Sequence, residues 1–190
     1  MWAYRLSNQL DALSSKIMSC VKCNLSKSRT NAVPGKGNPT AEILFIGEAP
    51  GRNEDLKGEP FVGSAGKILS EALDHAGLSR DEVFITNVVK CRPPSNRLPL
   101  EEEKDACHEH LSKELEIIQP KIICILGNTA YESLLGGGSI TKNRGKIIEK
   151  NGQLYFLTIH PAATIYNPEL KSILKDDMKI LAKAIAKLKQ

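Results

Sequence analysis

Short apolar runs alternate with longer amphipathic segments along most of this chain of 190 residues. Four of the runs have the length and composition of buried strands, and they are EILFIG, EVFITNVV, KIICILG and QLYFLTIH. The segments between them carry apolar residues at helical spacing, and a helix of that length allows a crossover to a parallel strand. The pattern therefore predicts an α/β fold with three layers, α/β/α, around a central four-stranded parallel sheet.

Length and composition are those of an ordinary globular protein, so we expect a single domain over residues 1–190. The net charge of +4 is compatible with a polyanionic partner but too small to require one. No apolar stretch reaches the roughly 20 residues of a membrane helix, and the N-terminal segment lacks the apolar centre of a signal peptide. We therefore expect a cytoplasmic, monomeric protein with no membrane partner.

Four of the five cysteines lie outside the apolar runs. Cys20 and Cys23 form a C-x-x-C pair, and Cys91 and Cys107 form a second, wider pair. Disulfides are rare in reducing compartments and thiolate is a soft metal ligand, so we predict that these four residues bind a metal. Their spacing leaves both zinc and an iron–sulfur cluster open, and the wide second pair favours the cluster. Cys124, inside KIICILG, is predicted to lie in the core.

Three predicted strands end in residues that can bind or react with a ligand. The turn GEAPG follows the first strand, Asn87 lies in the second, and His160 closes the last. Ligands of open parallel sheets bind beyond the carboxyl ends of the strands, so these residues can converge on one crevice. A lone histidine is more often structural, but its position here makes it a candidate site residue.

The glycine-rich segment GEPFVGSAGKIL does not fit a phosphate-binding P-loop. Phe61 stands where that motif needs its first glycine, and Ile68 stands where it needs a hydroxyl residue. No G-x-G-x-x-G follows the first strand either. We therefore exclude both nucleotide-binding motifs.

Three motifs and the four cysteines together resemble one known family. The motifs are GEAPGRNEDLKGEPFVGSAGKIL, TNVVKCRPP and HPAATIYNP, and they follow one another in the expected order from Cys20 to the C-terminal helix. They resemble the family 4 uracil-DNA glycosylases, the iron–sulfur type. The resemblance implies the uracil-DNA glycosylase fold, uracil-containing single- or double-stranded DNA as the partner, and a structural 4Fe-4S cluster, with zinc as the less favoured alternative.

The resemblance also implies roles on the base side of the site. Phe61 would stack on a flipped-out uracil, Asn87 would read its Watson–Crick edge, and Glu54 would exclude the methyl group of thymine. His160 would be catalytic, because it would donate a hydrogen bond to uracil O2, where negative charge develops as the N-glycosidic bond breaks.

On the sugar side, the resemblance places Gly47, Glu48 and Ala49. Glu48 is the second candidate catalytic residue, since a carboxylate can position water and offset a cationic sugar. Ile165 or Tyr166 is predicted to be the wedge that fills the gap left by the flipped base.

Phosphate contacts are expected from Lys90, Arg92 and Arg97, close to the cysteine-bearing segment. The motifs place no amine in the pocket, so the enzyme is expected to be monofunctional, without strand cleavage. A sliding clamp as a further partner has no support in the sequence.

The alternative function is an iron–sulfur electron-transfer or redox-sensing protein on a flavodoxin-like fold. Electron transfer has no need of the four pocket residues Glu48, Phe61, Asn87 and His160, and their presence favours the glycosylase.

Overall fold

The structure is a computed structural model that describes residues 2–188. In that range the α-helices are Trp2–Met18 (α1), Arg52–Lys57 (α2), Ser64–His75 (α3), Glu101–Ile118 (α4), Asn128–Leu135 (α5), Ile140–Asn143 (α6), Ala163–Tyr166 (α7) and Leu170–Lys187 (α8). The strands are Lys36–Gly37 (β1), Ile43–Gly47 (β2), Phe84–Asn87 (β3), Ile122–Leu126 (β4), Ile147–Lys150 (β5) and Gln153–Thr158 (β6). None of these helices combines the length and apolar character needed to cross a membrane.

The strands form one mixed sheet in the order β1–β3–β2–β4–β6–β5. Its four central strands, β3, β2, β4 and β6, pair in parallel as the crossover pattern predicts. The sheet has six strands and not the predicted four, because β1 and β5 pair antiparallel with β3 and β6. β1 has only two residues, and β5 is largely exposed, so neither forms the apolar run that marks a buried strand. Asn151 and Gly152, both at positive φ, make the two-residue turn that joins β5 to β6.

Strand β2 shows why the sheet is covered on both faces. All five of its residues are buried. Leu44 and Ile46 belong to the core beneath α1, α4 and α5, whereas Ile43 and Phe45 belong to the core beneath α3 and α8. Successive side chains of a strand point to opposite faces, so a strand that is apolar throughout must be covered on both sides. The three-layer α/β/α class is thereby confirmed, and Cys124 lies fully buried in the second core.

The carboxyl ends of the four central strands meet at one edge of the sheet. Backbone hydrogen bonds continue beyond the regular ladder there: Val88 N donates to Gly47 O at 2.9 Å, and Gly127 N donates to Thr158 O at 3.0 Å. These hydrogen bonds therefore fix the first residues of the loops that leave this edge, and those loops carry the residues of the site.

Candidate active site and cysteine cavity

A cavity of about 250 Å³ opens at this edge of the sheet. Six of the seven residues predicted to bind the base and the sugar line it: Glu48, Ala49, Glu54, Phe61, Asn87 and His160. Gly47 stands behind the wall, where a Cβ atom would lie 2.5 Å from Asn87 Oδ1 and 2.6 Å from Phe61 Cζ. A larger residue at 47 would thus push the amide and the ring out of place. The volume falls just below the roughly 300–1,000 Å³ of pockets for drug-sized ligands, so the cavity suits a single small ring system.

Asn87 presents an unused hydrogen-bond acceptor in this cavity. The residue is 1% exposed, and its Oδ1 has no hydrogen-bond partner among the described residues. Buried polar atoms are nearly always hydrogen-bonded, so an exception in a cavity wall indicates that a ligand supplies the donor.

His160 presents a hydrogen-bond donor close to that acceptor. Its Nδ1 accepts a hydrogen bond from Ala162 N at 3.1 Å, which places the proton of the neutral ring on Nε2. Burial penalises the imidazolium and lowers the pKa of His160 to about 4, although the carboxylate of Glu54 acts in the opposite direction. The ring is therefore neutral at physiological pH. Gly127 allows it to sit there, since at φ +88° any Cβ would lie 2.9 Å from His160 Cβ.

Phe61 forms the aromatic wall, with its ring centroid 5.7 Å from that of His160. Its backbone adopts a left-handed conformation, φ +51°, which is unusual for a large side chain. The side chains of Glu54 and Arg80 hold it in place. Glu54 Oε1 accepts from Val62 N at 3.0 Å and from Gly63 N at 2.7 Å, and Arg80 donates to the Phe61 carbonyl at 3.0 Å. The carboxylate of Glu54 therefore fixes the loop that carries the ring.

Glu48 lines the cavity, and its carboxylate Oε2 accepts a hydrogen bond from Thr129 Oγ1. Thr129 lies in the first turn of α5 and was not predicted from the sequence. The sequence did carry a signal for Thr129, because Asn128 and Thr129 directly follow the strand KIICILG at the same edge of the sheet. The hydroxyl fixes the orientation of the only carboxylate in the GEAPG turn.

The two candidate wedge residues differ in position. Tyr166 is 89% exposed and lines the mouth of the cavity, whereas Ile165 is 49% exposed and does not line it. A large exposed aromatic side chain at the mouth of a cavity is a typical contact for a partner. The structure therefore favours Tyr166 over Ile165 as the wedge, and the wedge role itself stays a prediction.

The expected phosphate contacts need one correction. Lys90 is 1% exposed and forms an ion pair with Glu114 at 2.7 Å, so its prediction as a DNA contact is wrong. Arg97 lines the active-site cavity and forms two hydrogen bonds with Glu103, at 2.8 and 2.6 Å. Arg92 is partly exposed and remains able to reach a phosphate.

The four predicted metal ligands come together in the structure. They line one small cavity between α1 and α4, and they are Cys20, Cys23, Cys91 and Cys107. Arg29 Nη1 donates to Cys91 Sγ at 3.0 Å, and Lys90 N donates to Cys107 Sγ at 3.2 Å. Burial raises the pKa of the Cys91 thiol and raises that of Cys107 to about 11.

The surroundings of these thiols fit a sulfur-ligated metal centre. Between residues 2 and 188, no three His, Cys, Asp or Glu side chains are placed so that they could already hold a metal ion, so the four cysteines share a cavity without forming a coordination geometry. His110 lines the same cavity, and its buried Nε2 has no hydrogen-bond partner in that part of the chain. An imidazole nitrogen left without a partner beside four thiols suits a hydrogen bond with a group bound among those thiols.

Fold and site together define an α/β protein with a base-sized ligand cavity at the carboxyl edge of its sheet and a four-cysteine centre beside it. Residues 34–189 match the Uracil DNA glycosylase superfamily. The chain is 49% identical to a type-4 uracil-DNA glycosylase of Sulfurisphaera tokodaii, over 90% of this chain and 83% of that protein. It is 46% identical to the type-4 uracil-DNA glycosylase of Archaeoglobus fulgidus over 94% of each chain. The chain belongs to the uracil-DNA glycosylase superfamily and, within it, to the type-4 family, as its motifs predicted.

Proposed function

We propose that the protein hydrolyses the N-glycosidic bond of flipped-out deoxyuridine in DNA, releasing free uracil and leaving an abasic site. It is a monofunctional uracil-DNA glycosylase of base excision repair. One observation carries this function: an unpartnered amide oxygen, a neutral imidazole donor and an aromatic ring line the same small cavity.

Recognition of the base follows from the amide. Asn87 Oδ1 accepts a hydrogen bond from uracil N3–H, and the Asn87 NH₂ group donates to uracil O4. Cytosine presents the opposite pattern, with an acceptor at N3 and a donor at C4, so it would face Asn87 with like groups. An unsatisfied buried group costs about 1–3 kcal/mol, which corresponds to roughly 5- to 150-fold discrimination.

Bond cleavage moves the electron pair of the N1–C1′ bond onto the uracil ring, and water adds to C1′ of the sugar. The proton that this water loses balances the one that the uracil anion takes up to become free uracil. His160 Nε2–H donates to uracil O2, where the negative charge collects. Because the donor is neutral and fixed by Ala162, it stabilises this charge without a proton having to be supplied to the site. Removal of one such donor from comparable sites costs about 10²–10³ in rate.

The sugar develops positive charge as the bond breaks. The Glu48 carboxylate, oriented by Thr129, lies in the same cavity and can offset that charge and hold the attacking water. Gly47 and Ala49 keep this side of the cavity free of bulky side chains.

The target base must leave the helix to reach the cavity. Tyr166, at the mouth, would fill the gap in the stack, Phe61 would stack on the base, and Glu54 would exclude the methyl group of thymine. Uracil-containing single- or double-stranded DNA is the partner that this arrangement fits. The prediction of a monomer, and that of a cytoplasmic location, rest on the sequence alone.

Cys20, Cys23, Cys91 and Cys107 would hold the proposed 4Fe-4S cluster, with zinc as the alternative. When bound, such a centre cross-links the end of α1 to the segment after β3 and to α4. Visible absorption and metal analysis of the purified protein distinguish the two metals. Because both hydrophobic cores share one sheet, we also propose a single domain over residues 1–190.

An end-labelled oligonucleotide with one uracil tests the function. We expect free uracil and an alkali-labile site from single and double strands, and no product from a strand with thymine in its place. His160→Ala and Asn87→Ala should lose most of the activity. His75→Ala, which changes an exposed histidine at the end of α3, is the matched control. Absence of free uracil with the metal-loaded protein would refute the proposal.

A further inference from the structure

The segment from Asn87 to Cys91 connects the two sites. Its first residue carries the amide of the base cavity, and its last residue is one of the four cysteines. Lys90 lies between them and is among the most deeply buried residues of the protein, at 1% exposed. A buried lysine is rare, so its contacts indicate what it is for.

All three protons of the Lys90 ammonium are used. Nζ donates to Asn87 O at 2.8 Å, to Thr86 Oγ1 at 2.6 Å and to Glu114 Oε2 at 2.7 Å. Glu114 is equally buried, and its other oxygen accepts from Gly35 N at 2.7 Å. The side chain therefore folds back onto the residue that presents the amide, and α4 holds it there.

The backbone of Lys90 is fixed as well. Its N–H donates to Cys107 Sγ at 3.2 Å, and its carbonyl accepts from Val33 N at 2.7 Å. Lys90 is thus hydrogen-bonded both to the end of β3, which carries the Asn87 amide, and to a cysteine of the predicted metal centre.

Stability alone is a poor reason for such a pair. Replacing a buried ion pair by apolar groups of similar size is often neutral or stabilising, because the desolvation of both charges is avoided. An apolar side chain would fill the space, but it would supply no donor to the Asn87 carbonyl. Directed hydrogen bonds on three partners are what the ammonium adds.

We propose that Lys90 is a positioning residue for Asn87: its buried ammonium holds the Asn87 backbone so that the amide meets the pyrimidine edge in one orientation, and it ties that orientation to the cysteine centre. The inference rests on the proposed base-reading role of Asn87. Lys90 touches neither substrate nor metal in this role, and it acts through the backbone of its neighbours.

The test compares Lys90→Met/Glu114→Gln with wild type. The double change avoids leaving one buried charge without its partner, and the amide oxygen of the new glutamine can still accept from Gly35 N. The matched control is Lys113→Met/Glu116→Gln, which makes the same two changes in an exposed ion pair on α4, the helix that carries Glu114. Thr86→Val keeps the shape and removes the hydroxyl that accepts from the ammonium and donates to Glu114 Oε2 at 2.7 Å. It is the second variant if the buried double variant does not fold.

The first readout is the ratio of affinities for DNA carrying 2′-fluoro-deoxyuridine and 2′-fluoro-deoxycytidine, sugars that resist cleavage. We expect the preference for uracil to fall about 10-fold in the buried double variant and a few-fold in Thr86→Val, and to be unchanged in the exposed control. The second readout is the visible absorption of the metal centre, which should match that of wild type.

A wild-type preference in a folded Lys90→Met/Glu114→Gln or Thr86→Val protein would overturn the inference. It would also be overturned if uracil release fell only in proportion to lost metal absorption, with the base preference unchanged. Failure of the proposed function is separate, because in that case the wild-type protein itself would release no uracil.

Discussion

The neutral state of His160 leads to a definite pH dependence. Its pKa of about 4 means that only about 3% of the ring is protonated at pH 5.5, whereas a histidine with the ordinary pKa near 6.5 would be about 90% protonated. Protonation of Nδ1 would also break its hydrogen bond with Ala162 N, because both atoms would then be donors. The hydrogen bond to uracil O2 should therefore be available in the same form from pH 8 down to about pH 5.5.

The assay is single-turnover release of uracil, with enzyme in excess, by wild type and by His160→Ala, which removes the donor. The ratio of the two rates cancels the titration of every other group that both proteins share. We expect a ratio of about 10²–10³ that stays constant between pH 8 and pH 5.5. A ratio that changes with a midpoint near pH 6.5 would show that His160 titrates normally, and it would refute the reasoning.

The same pKa shift has a consequence for stability. The folded state holds His160 neutral, whereas the unfolded chain binds a proton at this residue below pH 6.5. The contribution of His160 to the stability of the folded state is therefore fully present above pH 6.5 and is lost as the pH falls toward 4. The slope is about 1.4 kcal/mol per pH unit, or about 3 kcal/mol over the whole range. The free energy of unfolding, measured with denaturant between pH 7 and pH 4.5, should therefore fall more steeply with falling pH for wild type than for His160→Gln. Equal slopes of unfolding free energy against pH for the two proteins would contradict the lowered pKa of His160.

Three further changes test the site. Asn87→Ala should lower kcat/KM for a uracil-containing strand about 5- to 150-fold, because the base edge loses its partner; a change below twofold would contradict the role. Tyr166→Ala should slow release from double strands more than from single strands, with Ile165→Ala as the neighbouring control, and the reverse order would make Ile165 the wedge. Gly127→Ala should cut the rate of release strongly at unchanged metal absorption, since the new Cβ would displace His160, and wild-type rates would contradict this close approach.

The order of apolar strands and amphipathic helices was enough to predict the α/β/α class, because alternation in a strand and the 3.6-residue period of a helix are local properties. The same pattern placed Asn87 and His160 at the carboxyl ends of strands, and parallel pairing brings all such ends to one edge. The motifs and the four cysteines then identified the family. None of this depended on the contacts of individual side chains.

Tertiary structure decided what depends on partners distant in sequence. Lys90 looks like a surface cation beside a cysteine, yet it is buried because Glu114, 24 residues further along, meets it across the core. Thr129 joins the site because β4 lies next to β2, and its neighbour Gly127 makes room for His160.

The edge strands follow the same rule. The residues of β1 and β5 pair only because β3 and β6 present free backbone groups beside them. A linear sequence carries the propensity of each residue, but burial and pairing are properties of two segments together. For this protein the sequence by itself determined the fold class and the residue types of the site, and the assembled sheet determined which of them face the cavity and which groups hold them there.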